Sequence, residues 1–185
     1  MAEESGAVTD REHVAKLVAS RIVDVPDFPQ PGVVFKDISP LLADPAGFRA
    51  VVDAIVTEQR ATGFEVVAGI EARGFVLAAA VAYAAEVGVV AVRKAGKLPR
   101  ATFAASYSLE YGEATLEVHR DAFLPGQRVL VVDDVLATGG TARATLDLVE
   151  QAGGAVSGLT VLLELGFLAG RAKVDGYPVH ALLTV

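Results

Sequence analysis

The chain has 185 residues and a mass of 19.2 kDa, which is the size of one ordinary domain. Its net charge of -7 argues against broad nucleic-acid binding, because that mode of binding depends on Lys and Arg neutralising phosphates. The sequence has no cysteine, which excludes disulfide frameworks and thiolate metal sites, and no apolar run of the roughly 20 residues that cross a bilayer.

The N-terminal part is predicted to hold two helices separated by a proline-rich segment. Residues 1–9 are polar and are expected to be disordered, and the apolar spacing over 10–22 indicates an amphipathic helix. Prolines throughout 25–40 forbid a continuing helix there. A second helix is expected from Asp44, as its N-cap, to a terminating Gly63. The acidic N-terminus lacks the regions of a signal peptide, so we expect a cytoplasmic protein.

From Glu65 onward, apolar strands alternate with helices. The predicted strands are 65–71, 89–93, 128–134 and 155–165, and the predicted helices are 74–88 and 141–154. Apolar strands separated by helices indicate a mostly parallel, twisted sheet flanked by helices. Residues 102–127 alternate β-prone and polar types around Gly112, which predicts a two-stranded excursion. Residues 10–185 are thus expected to form a single α/β domain.

A candidate phosphate site follows the strand at 128–134. Asp133 and Asp134 come at its end, and an exposed loop with Gly139 and Gly140 leads into the next helix. Glycines let the backbone approach a ligand, and a helix N-terminus attracts anions. Adjacent strand residues face opposite sides, so both aspartates can serve one site only if the strand ends there. Separately these features could be a tight turn with solvated caps, but together they favour a phosphate site.

A second strand-to-helix junction carries Arg73, whose guanidinium can donate two hydrogen bonds to an anion. The alternative is a surface ion pair between Arg73 and Glu71. The segment "RKAGKLPR", residues 93–100, then brings four cations into an acidic chain, either as a solvated loop or as part of an anion site. Two anion sites and two carboxylates indicate a sugar phosphorylated at two positions as the ligand.

These residues carry a family resemblance. "VLVVDDVLATGGTARAT" resembles the motif that binds 5-phosphoribosyl 1-pyrophosphate (PRPP) in type I phosphoribosyltransferases. From about residue 11 to the C-terminus the chain resembles the adenine phosphoribosyltransferases, through "FPQPGVVFKDISPLLADP", "GIEARGF", "VRKAGKLP", "SYSLEYG", "LEVHRDA" and "VLLELGFLAGR". The resemblance implies the type I phosphoribosyltransferase fold, with a small hood at about 24–42 and a flexible loop at about 95–111.

The resemblance also implies an activity and its partners. Adenine and PRPP would give AMP and pyrophosphate, a reaction of purine salvage. Mg²⁺ would be held through PRPP, pyrophosphate and water, with no ligand directly from the protein. A homodimer is expected, with one of the basic residues of 93–97 reaching across its interface, and no nucleic-acid or membrane partner is expected.

The resemblance assigns roles to individual residues. Glu110, Asp133, Asp134 and Arg73 would be catalytic, with Glu110 beside N7 of adenine and the aspartates at the ribose hydroxyls. The 5′-phosphate would contact Ala137, Thr138, Gly139, Gly140 and Thr141. Pyrophosphate would contact Glu71, Ala72, Arg73, Arg93, Lys94 and Lys97. Adenine would contact Val34, Phe35, Lys36 and Leu165, and Lys36 stands where the family commonly has Arg.

Two other functions fit parts of the sequence. A regulator that senses PRPP would keep the phosphate loop, but it would need a nucleic-acid-binding element, for which the sequence gives no signal. A transferase for guanine or xanthine would share the loop and differ in the hood around Phe35. Among the remaining residues, His119 is expected on a strand surface and Tyr83, in an alanine-rich helix, in the core.

Overall fold

The computed structural model describes residues 3–108 and 113–185. Its contacts divide the chain into two compact units, Met1–Ala54 and Ile55–Val185, and the division falls inside one helix. The sequence analysis treats 10–185 as one domain, and that organisation stays a prediction.

The first unit holds helices and one hairpin. Its elements are helix α1 (Glu3–Arg21), strands β1 (Val23–Pro26) and β2 (Val34–Asp37), helix α2 (Ser39–Ala43) and the start of α3 (Pro45–Gln59). The two strands pair antiparallel, within the stretch expected to form the hood. Helix α1 includes residues 3–9, for which the sequence predicts disorder, and that expectation stays a prediction.

Helix α3 has the ends that its sequence predicts. The backbone N–H of Ala46 donates to the Asp44 carboxylate at 3.2 Å, which supplies a cap for the first turn. A 3₁₀ turn, Arg60–Thr62, follows the helix, and Gly63 closes it in the left-handed conformation with φ of 62°. Proline at the first position and glycine just past the end are thus used as expected.

The second unit is built on a seven-stranded sheet with the order β5-β6-β4-β3-β7-β8-β9. The strands are β3 (Val66–Ile70), β4 (Gly88–Lys94), β5 (Thr102–Ser108), β6 (Glu113–His119), β7 (Arg128–Leu136), β8 (Ala155–Glu164) and β9 (Val179–Thr184). The pairs β3/β4, β3/β7, β7/β8 and β8/β9 are parallel, and β4/β6 and β5/β6 are antiparallel. The mostly parallel sheet and its two-stranded excursion are confirmed.

Two helices, α4 (Arg73–Ala84) and α5 (Gly140–Gln151), cover this sheet. Apolar side chains of α5 share one buried cluster with alternate residues of the central strands, among them Ala68 and Val131. Helix α4 packs closely over Gly69, since a Cβ there would lie 2.6 Å from the Cβ of Ala78. Because neighbouring strand residues point to opposite faces, the two helices lie on opposite sides of the sheet.

Two expectations about this unit are wrong. Tyr83 is 87% exposed, because it lies on the outer side of α4 while Leu77 and Val81 face inward. Strand β7 runs on to Leu136 instead of ending at the aspartates, because Val135 and Leu136 continue its pairing with β8. Within the described residues, every helix is too short or too polar to cross a membrane.

Candidate active site

The strand order brings the two candidate anion sites together at one edge of the sheet. Strands β3 and β7 are parallel neighbours, although Ile70 and Leu136 lie far apart in sequence. From β3 the chain passes to β4 on one side, and from β7 it passes to β8 on the other. Ligands of parallel sheets bind beyond the strand ends where such connections diverge. The junction at Glu71–Arg73 and the loop 137–141 flank this point.

Both aspartates contact the first turn of α4. The Arg73 Nε donates to Asp134 Oδ2, and the Asp134 side chain is 8% exposed. The Asp133 Oδ1 accepts from the backbone N–H of Asp134 at 2.9 Å, and a Cβ on Gly74 would lie 2.7 Å from this oxygen. Both aspartates thus lie against α4 although the strand continues past them. Their sharing of one ligand site stays a prediction.

The two carboxylates differ in their surroundings. Burial raises the pKa of Asp133 well above its ordinary value, and the negative charge of Asp134 raises that pKa further. Asp134 is neutralised by the adjacent Arg73 guanidinium. The pair therefore offers one carboxylate held by a cation and a second whose charge is disfavoured until a positive group arrives.

Glu71 gathers the basic residues predicted for pyrophosphate. Lys97 Nζ donates to Glu71 Oε1, and the backbone N–H of Lys94 donates to Glu71 Oε2 at 3.0 Å. The Arg93 Nε lies 3.5 Å from the same Oε2, and an Arg93 Nη1 donates to the Lys97 carbonyl at 3.2 Å. Hydrogen bonding from Lys97 lowers the pKa of Glu71, so this carboxylate is charged at neutral pH. The Glu71–Ala72 peptide is cis.

The loop after β7 is held against the segment around Gly170, and the sequence does not predict this contact. Gly139 caps α5 in the left-handed conformation, with φ of 79°, and a Cβ there would lie 2.3 Å from the Gly170 carbonyl oxygen. A Cβ on Gly170 would lie 2.0 Å from the Ala137 carbonyl oxygen. Gly139 and Gly140 are both buried, so the exposed loop that the sequence predicts is wrong for these two residues. The backbone of the loop at 137–139 and that of Gly170 therefore pack directly against each other, with no side chain between them.

The hydroxyl of Thr141 already has a partner in this arrangement. Its Oγ1 donates to the Tyr107 hydroxyl on β5 at 3.0 Å, and Thr145 Oγ1 donates to the Thr141 carbonyl at 2.9 Å. Ala137 and Thr138 precede it and are partly buried. The backbone N–H groups at the start of α5 and these hydroxyls form a site suited to a phosphate.

Leu165 follows β8 at the same edge of the sheet. Its N–H donates to the Leu136 carbonyl at 2.9 Å, and its side chain is half-buried. The preceding Glu164 binds Arg171 through two hydrogen bonds of 3.0 and 2.6 Å. This pairing lowers the pKa of Glu164 and connects the end of β8 to the segment that supports Gly139.

The residues predicted for adenine in the hood lie in the first unit, on β2. Val34 is 50% exposed, and the Phe35 ring packs edge-on against Phe28 at 5.1 Å between ring centroids. Lys36 Nζ donates to both carboxylate oxygens of Asp24, at 2.7 and 2.8 Å. The Lys36 ammonium group is therefore paired with a carboxylate of the same hairpin.

Three further predictions concern residues outside these contacts. Glu110, the predicted acid–base residue, lies outside the described residues. Among residues 3–108 and 113–185, no three His, Asp or Glu side chains form a metal-binding group. His119 lies on β6 and is partly buried, with an Nδ1 that lacks a hydrogen bond, rather than on an open strand surface.

Comparison with known proteins gives consistent matches. The model of the phosphoribosyl transferase domain family matches residues 38–180. The adenine phosphoribosyltransferase of Salinispora tropica is 71% identical over 171 residues, covering 92% of this chain and 91% of the relative. The crystal structure of the Thermoanaerobacter pseudethanolicus adenine phosphoribosyltransferase has a TM-score of 0.90 and 46% identity, covering 92% of this chain and 99% of that one.

A second solved structure includes ligands. It is the Saccharomyces cerevisiae adenine phosphoribosyltransferase, complexed with an imino-altritol bisphosphate and adenine. Its TM-score is 0.88 at 36% identity, and the match covers 92% of this chain and 99% of that one. A bisphosphate and a purine base are thus bound together in a protein of the same fold.

Proposed function

The chain belongs to the adenine phosphoribosyltransferases of the phosphoribosyl transferase family, and from that premise we propose how its residues perform the reaction. Adenine attacks C1 of PRPP, pyrophosphate leaves, and AMP is formed, a reaction of purine salvage. The observation that carries the assignment of residues is the Arg73–Asp134 pair, which joins the two anion sites at neighbouring strand ends.

The carboxylates stabilise the sugar. Breaking the C1–pyrophosphate bond leaves positive charge on the ribose ring, as in glycoside chemistry. Asp133 and Asp134 bind the ribose hydroxyls and place negative charge beneath this cation. The raised pKa of Asp133 supports this role, because a carboxylate that is poorly compensated in the free protein gains most when positive charge develops next to it.

The two phosphate groups bind on either side. The 5′-phosphate lies at residues 137–141, against the N-terminus of α5. Pyrophosphate lies at the turn 71–73 and takes Arg93, Lys94 and Lys97 as partners. The present grouping of these cations around Glu71 supports this placement, because it keeps positive charge at the edge of the sheet.

Mg²⁺ would neutralise the leaving pyrophosphate. An ion held mainly by substrate oxygens and water would keep several of its waters and would need no closed cage of protein carboxylates. Arg73 and Lys97 orient the same phosphates from the protein side.

The base is held and deprotonated by other residues. Val34 and Phe35 enclose adenine, Lys36 lies beside them, and Leu165 contacts the ring. Glu110 takes the proton that adenine loses as its N9 attacks C1, and closure of the loop at about 95–111 keeps water from the cation.

We also propose that the chain forms a homodimer through the outer side of α4. Val76 is 46% exposed and Tyr83 is 87% exposed on this helix, and large apolar side chains grouped on one surface are typical of interfaces. Sedimentation at micromolar concentration should give twice the mass of one chain. Tyr83→Glu should give single chains, and a wild-type protein that sediments as single chains would contradict the proposal. A cytoplasmic location stays a prediction.

The function is tested by supplying PRPP, Mg²⁺ and a panel of bases, and measuring nucleotide and pyrophosphate. Adenine should be preferred over hypoxanthine and guanine by at least about a hundredfold in kcat/KM, because a site that pairs with the exocyclic amino group leaves its own polar groups unpaired with a 6-oxo base. Equal rates with hypoxanthine would instead favour another base as substrate. PRPP binding without turnover of any base would favour a regulator.

A further inference from the structure

We propose that Tyr107 is a positioning residue for the 5′-phosphate of PRPP and acts through the hydroxyl of Thr141. This inference rests on the proposed function, in which Thr141 binds that phosphate. The two hydroxyl oxygens are 3.0 Å apart, and Thr141 Oγ1 is the donor. Residues 34 positions apart are thus joined directly at the start of α5.

The position of Tyr107 is set by strand pairing and ring packing, within the stretch 95–111 that is proposed to close. It lies on β5 opposite Ala114 of β6, and its partly buried ring packs against the main apolar cluster of the second unit. Thr141 is held from the other side, because its carbonyl accepts from the fully buried Thr145. These contacts of the Tyr107 ring and of the first turn of α5 define where the Thr141 hydroxyl points.

The chemistry of hydroxyl groups explains why this contact matters. A hydroxyl donates one hydrogen and can accept others. In this structure Thr141 donates its hydrogen to Tyr107. A phosphate oxygen needs that hydrogen, so Thr141 turns it toward the phosphate and accepts a hydrogen from Tyr107 in exchange. The donor direction reverses while the contact remains.

The reversed arrangement is a chain that runs from Tyr107 to Thr141 and on to the phosphate. Each hydrogen bond in such a chain polarises and strengthens the next one. Tyr107→Phe would keep the ring packing but could not donate to Thr141. The phosphate would then be bound by a less polarised and more mobile hydroxyl.

The experiment compares Tyr107→Phe with Tyr177→Phe. The control also loses one hydroxyl contact to α5, since Tyr177 donates to Glu150 at 2.9 Å, near the other end of that helix. The ligands titrated are AMP, ribose 5-phosphate and Mg²⁺-pyrophosphate. With Tyr107→Phe, the Kd values of AMP and ribose 5-phosphate should rise about three- to tenfold, which is the value of one neutral hydrogen bond. Pyrophosphate should bind within about twofold of the wild type.

Kinetics and a second substitution separate positioning from a structural effect. With Tyr107→Phe the KM for PRPP should rise about three- to tenfold, while kcat and the KM for adenine stay within about twofold. In a Thr141→Val background, Tyr107→Phe should change AMP affinity by less than about twofold, whereas Thr141→Ser should preserve its effect. Both results support a contact that acts through the Thr141 hydroxyl.

Other outcomes would overturn the proposal. They are unchanged AMP affinity in a folded Tyr107→Phe variant, equal weakening of AMP and pyrophosphate, and the same weakening with Tyr177→Phe. If the wild type converts adenine and the variants give one of these results, only the role of Tyr107 is refuted. A wild-type protein that binds neither AMP nor ribose 5-phosphate refutes the proposed function as well.

Discussion

Gly170 is predicted to be as important for PRPP binding as the loop that it supports. A Cβ at this position would lie 2.0 Å from the Ala137 carbonyl oxygen and 2.9 Å from the Gly139 nitrogen. Cβ atoms essentially never approach other atoms closer than 3.0 Å, so Gly170→Ala must displace the two backbones by about 1 Å. The displaced atoms belong to the loop at 137–141.

A shift of this size is large for a phosphate site. Hydrogen bonds to the loop N–H groups have a narrow range of distances, and misplacing a binding group by about 1 Å can cost about 10²-fold. We expect Gly170→Ala to lower kcat/KM for PRPP by about 10²-fold. Overpacking of this kind costs about 1–3 kcal/mol, so the Tm should fall by about 3–10 °C while the fold persists.

The assay combines calorimetric titration of PRPP, steady-state kinetics and thermal unfolding. Gly166→Ala is the matched control, since a Cβ there would lie 3.3 Å from a Thr184 methyl group and needs only a small adjustment. It should keep PRPP affinity within about twofold. A folded Gly170→Ala variant with wild-type affinity for PRPP would show that the loop does not depend on this close approach.

Two further predictions concern the carboxylates. Asp133→Asn should abolish most of the transfer yet raise the Tm by a few degrees at pH 8. Because the folded-state pKa of Asp133 is raised, the contribution of this group to the free energy of unfolding is largest below the ordinary pKa of 3.8 and is lost as the pH rises through the folded value. The Tm gain of Asp133→Asn should therefore be smaller at pH 4 than at pH 8. A Tm gain that is equal at both pH values would contradict this cause. Glu110→Gln should lower the rate constant of the chemical step, measured in a single turnover, by about 10² to 10⁴ with PRPP affinity little changed. Retention of more than about a third of the wild-type rate would exclude Glu110 as the acid–base residue.

The elements that the sequence predicts well are those with strong local signals. Asp44 and Gly63 mark the ends of one helical region through capping and a left-handed turn, and both effects depend on neighbouring residues alone. The alternation of apolar strands and helices likewise predicts the parallel sheet. The roles of individual site residues stay predictions, although the structure brings Arg73 to Asp134 and Lys97 to Glu71.

Contacts between distant segments could not be predicted in this way. Gly170 differs from a turn glycine only because Ala137 and Gly139 lie against it, and neither the glycine nor its neighbours in sequence signal that contact. Tyr107 has the sequence pattern of an ordinary strand residue, and only the packing of α5 beside β5 shows its contact with Thr141. The sequence predicts Tyr83 in the core because an alanine-rich helix is apolar on every side, so its periodicity does not show which side faces the sheet.

In the proposed pyrophosphate site, Glu71 would serve as a counter-ion. Its carboxylate pairs with both Lys97 and Arg93, so the mutual repulsion of these two cations is offset. Where pyrophosphate binds as proposed, it must draw the cations away from Glu71, and binding becomes an exchange of anionic partners. On release of pyrophosphate the same exchange would run in reverse, with Glu71 pairing again with the cations. A carboxylate placed among phosphate-binding cations would thus weaken the binding of the product and favour its release.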